Sequence, residues 1–252
     1  MLLVRLGIVL MLFIPAQAQL ADNDTMRLAG KLSLTGNFTD GNVKRYLLNT
    51  AVEIIHVQNR MGVKSSTQYM WGKFFSSKTE NDILSRNFLY LDPSHRLYPF
   101  LMIWLESSVR RRVSFRNQYA AGVTFKPLYQ PDHKIKTSLS LSYDNSLYTA
   151  SKFINYADSS SRRISTWRII GRVSGMHRLF QGKCKLHYEG WLQPSLQIAK
   201  NIRWHTETHI ELPLNKNISF KTGITYFYDH VTVKSAKQYD WWWTTGLSIG
   251  NF

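Results

Sequence analysis

From Met26 to Phe38 apolar and polar residues take turns: Met26, Leu28, Gly30, Leu32, Leu34, Gly36 and Phe38 hold the even positions, with Arg27, Lys31, Ser33, Thr35 and Asn37 between them. A two-residue period is that of a β-strand with one apolar face. The pattern recurs in short segments to Phe252, the last residue. A second strand is predicted from about Tyr46 to Val57, with Leu48, Val52 and Ile54 on one face and Asn49 and Glu53 on the other. Further strands are predicted at about Val63 to Phe75, Leu84 to Leu91, Leu97 to Ser107 and Ser114 to Phe125. The clearest alternation follows, with Ile135, Thr137, Leu139, Leu141 and Tyr143 opposing Lys134, Lys136, Ser138, Ser140 and Ser142. Trp167, Ile169, Gly171 and Val173 mark an eighth strand against Arg168 and Arg172. Gly182 to Leu192, Ile202 to Leu212, the run from Ile218 to Tyr228, and a last segment containing Trp241, Trp242 and Trp243 complete twelve. In the fifth, Tyr98, Phe100, Met102 and Trp104 alternate with Leu97, Leu101, Ile103 and Leu105, so both faces are apolar and the inner one stays open.

Turn chemistry separates these runs. Asp40-Gly41 is a strong hairpin signal, and Asn59 to Gly62, Asp92-Pro93-Ser94, Gln130 to Asp132 and Pro213 to Lys216 read as short turns. Gly175, Met176 and His177 read as the start of another, and Ser76 to Asp82 as a polar loop. The connections near Asn145 to Arg163 and Asp229 to Tyr239 are long. Long and short connections thus tend to alternate, as expected of a bacterial barrel with long external loops and short periplasmic turns. Twelve strands and no long apolar run predict an all-β fold, a single antiparallel transmembrane barrel of the bacterial outer membrane. A soluble β-sandwich is the competing architecture, but it would leave one face of each sheet in water. Aromatic residues gather near predicted strand ends, at Tyr226 to Tyr228, Tyr239 to Trp243, Phe88 with Tyr90, and Phe125 with Tyr129, as interfacial girdles would.

The N-terminus fits export to that membrane. Arg5, the apolar run Leu6 to Ile14 and the small-residue site Ala16-Gln17-Ala18 form a secretory signal, with cleavage expected between Ala18 and Gln19. Residues 1–18 are then signal peptide and 19–252 the barrel. The lone cysteine, Cys184, excludes an intrachain disulfide and every cysteine-based metal motif, and its parity with Leu186, Tyr188 and Leu192 puts it on the lipid-facing side.

Net charge is +16 and the isoelectric point about 10.0. Export argues against nucleic acid as the partner. The basic clusters Arg110 to Arg112, Arg162-Arg163 and Lys234 to Lys237 fall in predicted loops, as solvated charges or contacts for the phosphates of lipopolysaccharide. Membrane lipid and the barrel assembly machinery are the other expected partners.

Ser33-Leu34-Thr35-Gly36-Asn37, followed by Thr39 and Asp40, resembles the opening of the salt-induced outer-membrane proteins, the domain-of-unknown-function-481 family. Arg116 through Ala120, Ala121, Gly122 and Val123 is similar to that family's central strand with its small-residue step. The resemblance covers almost the whole mature chain and implies an outer-membrane barrel, with no catalytic or binding residue to carry over. The strongly basic loops depart from the more acidic members expected of the family. The terminal Phe252 is similar to the recognition signal for barrel assembly, although Gly246, Ser248 and Gly250 rather than Leu247 and Ile249 are in phase with it. A bulge would restore the phase.

Candidate chemistry lies on the polar parity of strands nine and ten: Lys183, Lys185, His187 and Glu189, then Arg203, His205, Glu207, His209 and Glu211. Neighbours on one strand face stand roughly 6.8 Å apart, so metal ligands would have to converge across strands. Pairing Leu192 with Ile202 would set His187 opposite Glu207, Glu189 opposite His205, Lys185 opposite His209 and Lys183 opposite Glu211. These residues then read as a salt-bridged lattice filling the lumen, with a solute or metal site the sharper alternative; neither cofactor nor metal is expected. The functional expectation is a non-enzymatic envelope structural protein or a narrow channel that inward Lys and Arg would bias toward anions. The alternative is an outer-membrane enzyme acting on lipid or lipopolysaccharide. Ser94 with His95, and His205 with Thr206, are sequence neighbours and point opposite ways, so no nucleophile and base pair emerges at workable spacing.

Overall fold

The computed structural model describes residues 28–39, 45–75, 77–156 and 160–250; the signal segment, the Asp40-Gly41 turn and Phe252 lie outside them. Twelve long strands form one closed antiparallel barrel: β1 (Leu28–Thr39), β2 (Arg45–Gln58), β3 (Met61–Phe74), β4 (Ser77–Leu91), β5 (Leu97–Ser108), β6 (Val113–Tyr129), β7 (His133–Tyr148), β8 (Arg163–Leu179), β9 (Cys184–Pro194), β10 (Ile202–Pro213), β11 (Ile218–Asp229) and β12 (Tyr239–Gly250). Each pairs with its neighbours in sequence, and β12 returns to β1 from Lys31 opposite Gly250 to Gly36 opposite Thr245. Closure leaves no unpaired edge, which hydrocarbon requires. The seam is tight: a Cβ on Gly246 would lie 2.2 Å from the Leu34 carbonyl oxygen and 2.7 Å from the Thr35 Cα, so only glycine fits there.

The distribution of polarity is inverted relative to a water-soluble protein. Leu97, Leu101, Leu139, Ile224 and Trp241 point outward and are exposed, while Lys31, Glu106, Arg116, Asp144 and Arg168 are buried inside. An apolar outer belt over a charged interior fits a wall whose outer solvent is lipid. Tyr143 and Trp167 (5.3 Å between ring centroids) and Trp204 with Tyr226 (5.0 Å) and Tyr228 (6.2 Å) form part of a girdle near the ends of the strands that lead into the long connections.

At that long-loop end the two longest connections meet. Short strands Phe153–Ile154 and Thr232–Val233 pair with each other. Phe153, Val231 and Val233 pack with Val113, Tyr148 and Ile164 in an apolar cluster separate from the barrel interior. The mouth therefore carries a folded cap.

Several expected boundaries move. Ser77 to Asp82 are not a loop: β3 runs to Phe74 and β4 starts at Ser77, Phe75 has φ 50°, and Glu80 and Asp82 are buried; Ser76 lies outside the described residues. Polarity there marks the lumen rather than solvent. β8 likewise continues through Gly175, Met176 and His177 to Leu179. β5 resolves with Tyr98, Phe100, Met102 and Trp104 inward. Phe88 and Tyr90 are not girdle residues: both are buried and stack at 5.6 Å. A bulge between Phe125 and Leu128 pairs Tyr129 with the inward Lys134, so Tyr129 leaves the lipid face as well. β12 holds its register to Gly250 with Leu247 and Ile249 exposed, so the bulge that would have brought them into phase with Phe252 does not occur among the described residues. Cys184 has outward parity yet is buried.

Candidate functional site

Inward parity on every strand converges on the lumen, which divides into two halves. The half beneath the long loops is built from arginines on different strands. Arg116 of β6 donates to Ser146 Oγ (2.7 Å), to both oxygens of Glu106 (3.2 and 3.3 Å), to the Tyr148 hydroxyl (3.2 Å) and to Asp229 of β11 (3.1 Å). Arg203 joins Asp144 (3.3 Å) to Asp229 (3.1 Å), and Arg168 meets Asp144 at 3.0 Å while donating to the carbonyls of Gln193 (2.8 Å) and Asn201 (3.2 Å). The sequence reads Arg110 and Arg111 as solvated loop charges or contacts for lipopolysaccharide phosphates. Instead they fold inward, Arg110 to Asp240 at 2.8 Å and Arg111 to Glu106 at 2.8 Å, leaving Arg112 exposed. Uncompensated carboxylates in the lumen draw them in, since a buried charge without a partner is far costlier than an ordered arginine. His205, Phe227 and Trp242 stack in series at 4.0 and 5.6 Å. Arg111 lies over Phe227 and Arg110 over Trp242, each 4.2 Å from the ring centroid.

Midway down, Glu189 of β9 accepts from Arg86 of β4 (2.5 Å) and Arg172 of β8 (2.6 Å), and from the Trp191 indole N–H. Arg86 also reaches Glu207 at 3.7 Å. Arg172 is sandwiched near Phe88 (5.1 Å) and Trp191 (4.8 Å). The aromatic inner face of β4 and β5 thus serves as a platform for guanidinium groups.

The half toward the short turns is looser. A cavity of about 100 Å³ lies between Asn49, Glu53, Lys64, Gln68, His187 and His209, among others. Beside it His187 and His209 stack at 4.7 Å with 14° between their planes. Both face Glu211: His209 Nε2 is 3.5 Å from Oε1 and His187 Nε2 3.9 Å from Oε2. Lys31 of β1 pairs with the same carboxylate. Lys126 (4.3 Å), Lys134 (5.0 Å) and Lys136 (5.8 Å) surround the Tyr129 ring at this end.

The expected pairing of β9 with β10 is corrected by two residues. Pro194 rather than Leu192 stands opposite Ile202, which sets His187 opposite His209, Glu189 opposite Glu207, Lys185 opposite Glu211 and Trp191 opposite His205. The strand runs on because Gln193 is a lumen residue, its side chain accepting from Gln118 at 3.3 Å, and not the start of a loop. A two-residue shift preserves parity, so the inward assignment of Lys185, His187, Glu189, Arg203, His205, Glu207, His209 and Glu211 is unchanged. Lys183 drops out: it is exposed in the turn before β9. The shift also sets like charges opposite each other at Glu189 and Glu207, and Arg86 from the far wall compensates. Sequence parity read Arg168 and Arg172 as inward charges favouring anions without naming their partners, named Lys31 only as a polar position, and read Arg116 only through a family motif. A lone ionisable residue among small ones on the inward parity was the available signal.

A closed antiparallel barrel with an apolar belt, an aromatic girdle and a charged, packed lumen is a transmembrane β-barrel. Within that class the chain belongs to the DUF481 family, proteins of unknown function, whose family model matches residues 22–250. The fold is similar to that of a NanC porin, with a TM-score of 0.53, 9% identity, and coverage of 86% of this chain and 98% of the porin. A bacterial polysaccharide outer membrane secretin aligns at a TM-score of 0.45 and 8% identity over 91% of this chain and 99% of its own. Among curated proteins, no sequence matches.

Proposed function

We propose that this chain is a non-enzymatic protein of the bacterial outer membrane whose resting lumen is closed, and that its role is structural in the envelope rather than that of a standing pore. One observation carries this reading: ion pairs cross the lumen. Arg116 to Asp229 joins β6 to β11, and Arg86 to Glu189 joins β4 to β9, each pair of strands lying five apart around a ring of twelve. Such ties occupy the space that an ion path would need, and the loop cap covers the same end. A small barrel can be filled by its own side chains.

The three lysines around Tyr129 support a second reading, a narrow anion-favouring channel that conducts when the upper ties are released. Exposed Arg112, Arg162, Arg163, Lys234 and Lys237 suit contact with lipopolysaccharide phosphates. Membrane lipid and the barrel assembly machinery remain the other proposed partners. Lipid hydrolysis is the alternative activity. His205 turns inward and Thr206 outward, which supports the absence of a nucleophile and base pair there.

Planar-bilayer recording of the refolded barrel under a salt gradient tests the proposal. The expected result is a silent wild type and discrete, anion-preferring steps from a variant carrying R86A and R116A. A steady wild-type conductance would overturn it.

A further inference from the structure

The short-turn half contains a group of side chains that the closed-lumen reading does not use. His187 and His209 stand directly opposite each other on β9 and β10, and Glu211 is the next inward residue on β10. One ligand atom from each lies within 4.8 Å of the others. Directly opposed residues on adjacent strands have their Cβ atoms about 4.5–5.5 Å apart, close enough for two imidazoles to share an ion. Glu211, two residues beyond His209 on the same strand face, reaches the same point with its side chain. Both nitrogens of His187 and Nδ1 of His209 are buried without a hydrogen-bond partner. Buried polar atoms in a folded interior are normally satisfied, and unsatisfied ones call for an explanation.

We infer that His187, His209 and Glu211 form a binding site for a borderline first-row divalent cation of the zinc, nickel or copper type. Two imidazoles and one carboxylate are donors these ions favour, and three protein ligands leave a further coordination position. Both histidines border the cavity, which supplies room for that position.

The charges nearby fit an exchange rather than a preformed vacancy. Lys31 neutralises Glu211, and Lys185 and Lys221 stand opposite Glu211 on the flanking strands. Glu207 and Glu53 supply negative charge, and Lys31 stands directly opposite Glu53 on β2. When a cation takes Glu211, the Lys31 ammonium has a second carboxylate within its reach on the neighbouring strand. The ion therefore competes with one ammonium for one carboxylate, so removing that ammonium should favour the ion.

The test uses the full mature barrel without an affinity tag, in chelator-free detergent. Zn²⁺ binding is read by calorimetry and Co²⁺ binding by its visible absorption. The site predicts about one ion per chain, at least a tenfold loss of affinity in H187A and in H209A, and tighter binding in K31Q. Heat-modifiable migration of each variant keeps loss of binding separate from loss of fold. A second histidine pair, His133 and His177, lies with its Nδ1 atoms 3.1 Å apart elsewhere on the barrel. Binding abolished by H133A/H177A and retained in H187A/H209A would overturn the assignment. So would a wild type that takes up no more metal than H187A/H209A, or a K31Q barrel that binds more weakly than wild type.

Discussion

The two halves of the lumen differ in how tightly their ionisable side chains are tied and in the room beside them. Beneath the long loops Arg116, Arg168 and Arg203 are tied by several bonds each to Glu106, Asp144 and Asp229. Toward the short turns, His187 and His209 stack beside a cavity with ring nitrogens unbonded. Arginines that each bond to several acceptors are rigid and hard to enter, whereas imidazole nitrogens beside a cavity have bonds to give to a ligand. Unpartnered atoms such as the His205 ring nitrogens and Asp229 Oδ1 occur in the upper half too. On the proposed reading, the difference separates what holds the barrel shut from where a cation binds.

The sharpest way to break this contrast is to remove a tie. R116A leaves Glu106 and Asp229 short of a buried partner and is expected to cost about 3–5 kcal/mol, read from the urea midpoint of the barrel in lipid vesicles. F153A should act locally, weakening the cap by about 3 kcal/mol and raising its opening on the order of 100-fold. Trypsin cleavage near Lys152, Arg162 or Lys234 would accelerate while the global midpoint stays put. H187L goes the other way: deleting two unsatisfied nitrogens should leave the metal-free barrel unchanged or more stable by about 1 kcal/mol. A loss as large as that of R116A would erase the distinction between the halves.

The smallest effect lies at the short-turn rim. The hydrogen bonds from Arg60 to Asp92, at 2.7 and 2.8 Å, hold the Asp92 carboxyl below its usual range in the folded protein. A depressed folded value contributes stability above the unfolded pKa, and that contribution is lost as pH falls through the folded value. Wild type and D92N should therefore differ slightly at neutral pH and converge below about pH 4, as seen in paired melts across that range. The site is exposed, so the difference is small.

Much of the wall was legible because lipid and lumen impose opposite polarity on alternate residues, as from Ile135 to Tyr143. The reading weakened where the lumen itself is apolar. Tyr98, Phe100, Met102 and Trp104 are inward and apolar, Trp104 lying under Arg86, so alternation vanished in β5. It also weakened where inward charges gathered near strand ends: Ser77 to Asp82 look like a loop, and Arg110-Arg111, correctly placed in a turn, look solvated unless the partners across the barrel are known. The histidine pair depended on a two-residue register shift that parity does not detect. Side chains from distant strands, Arg86 above all, make that register tolerable, and sequence distance hides them.

Arg86 and Glu189 meet across the lumen, and a double-mutant cycle on the pair measures that contact most directly. R86A, E189A and the double variant would each be unfolded in urea from the same vesicles. A coupling of about 0.5–3 kcal/mol is predicted for residues in contact. Additive effects would mean that the two walls do not touch and that the lumen is not held closed by these pairs.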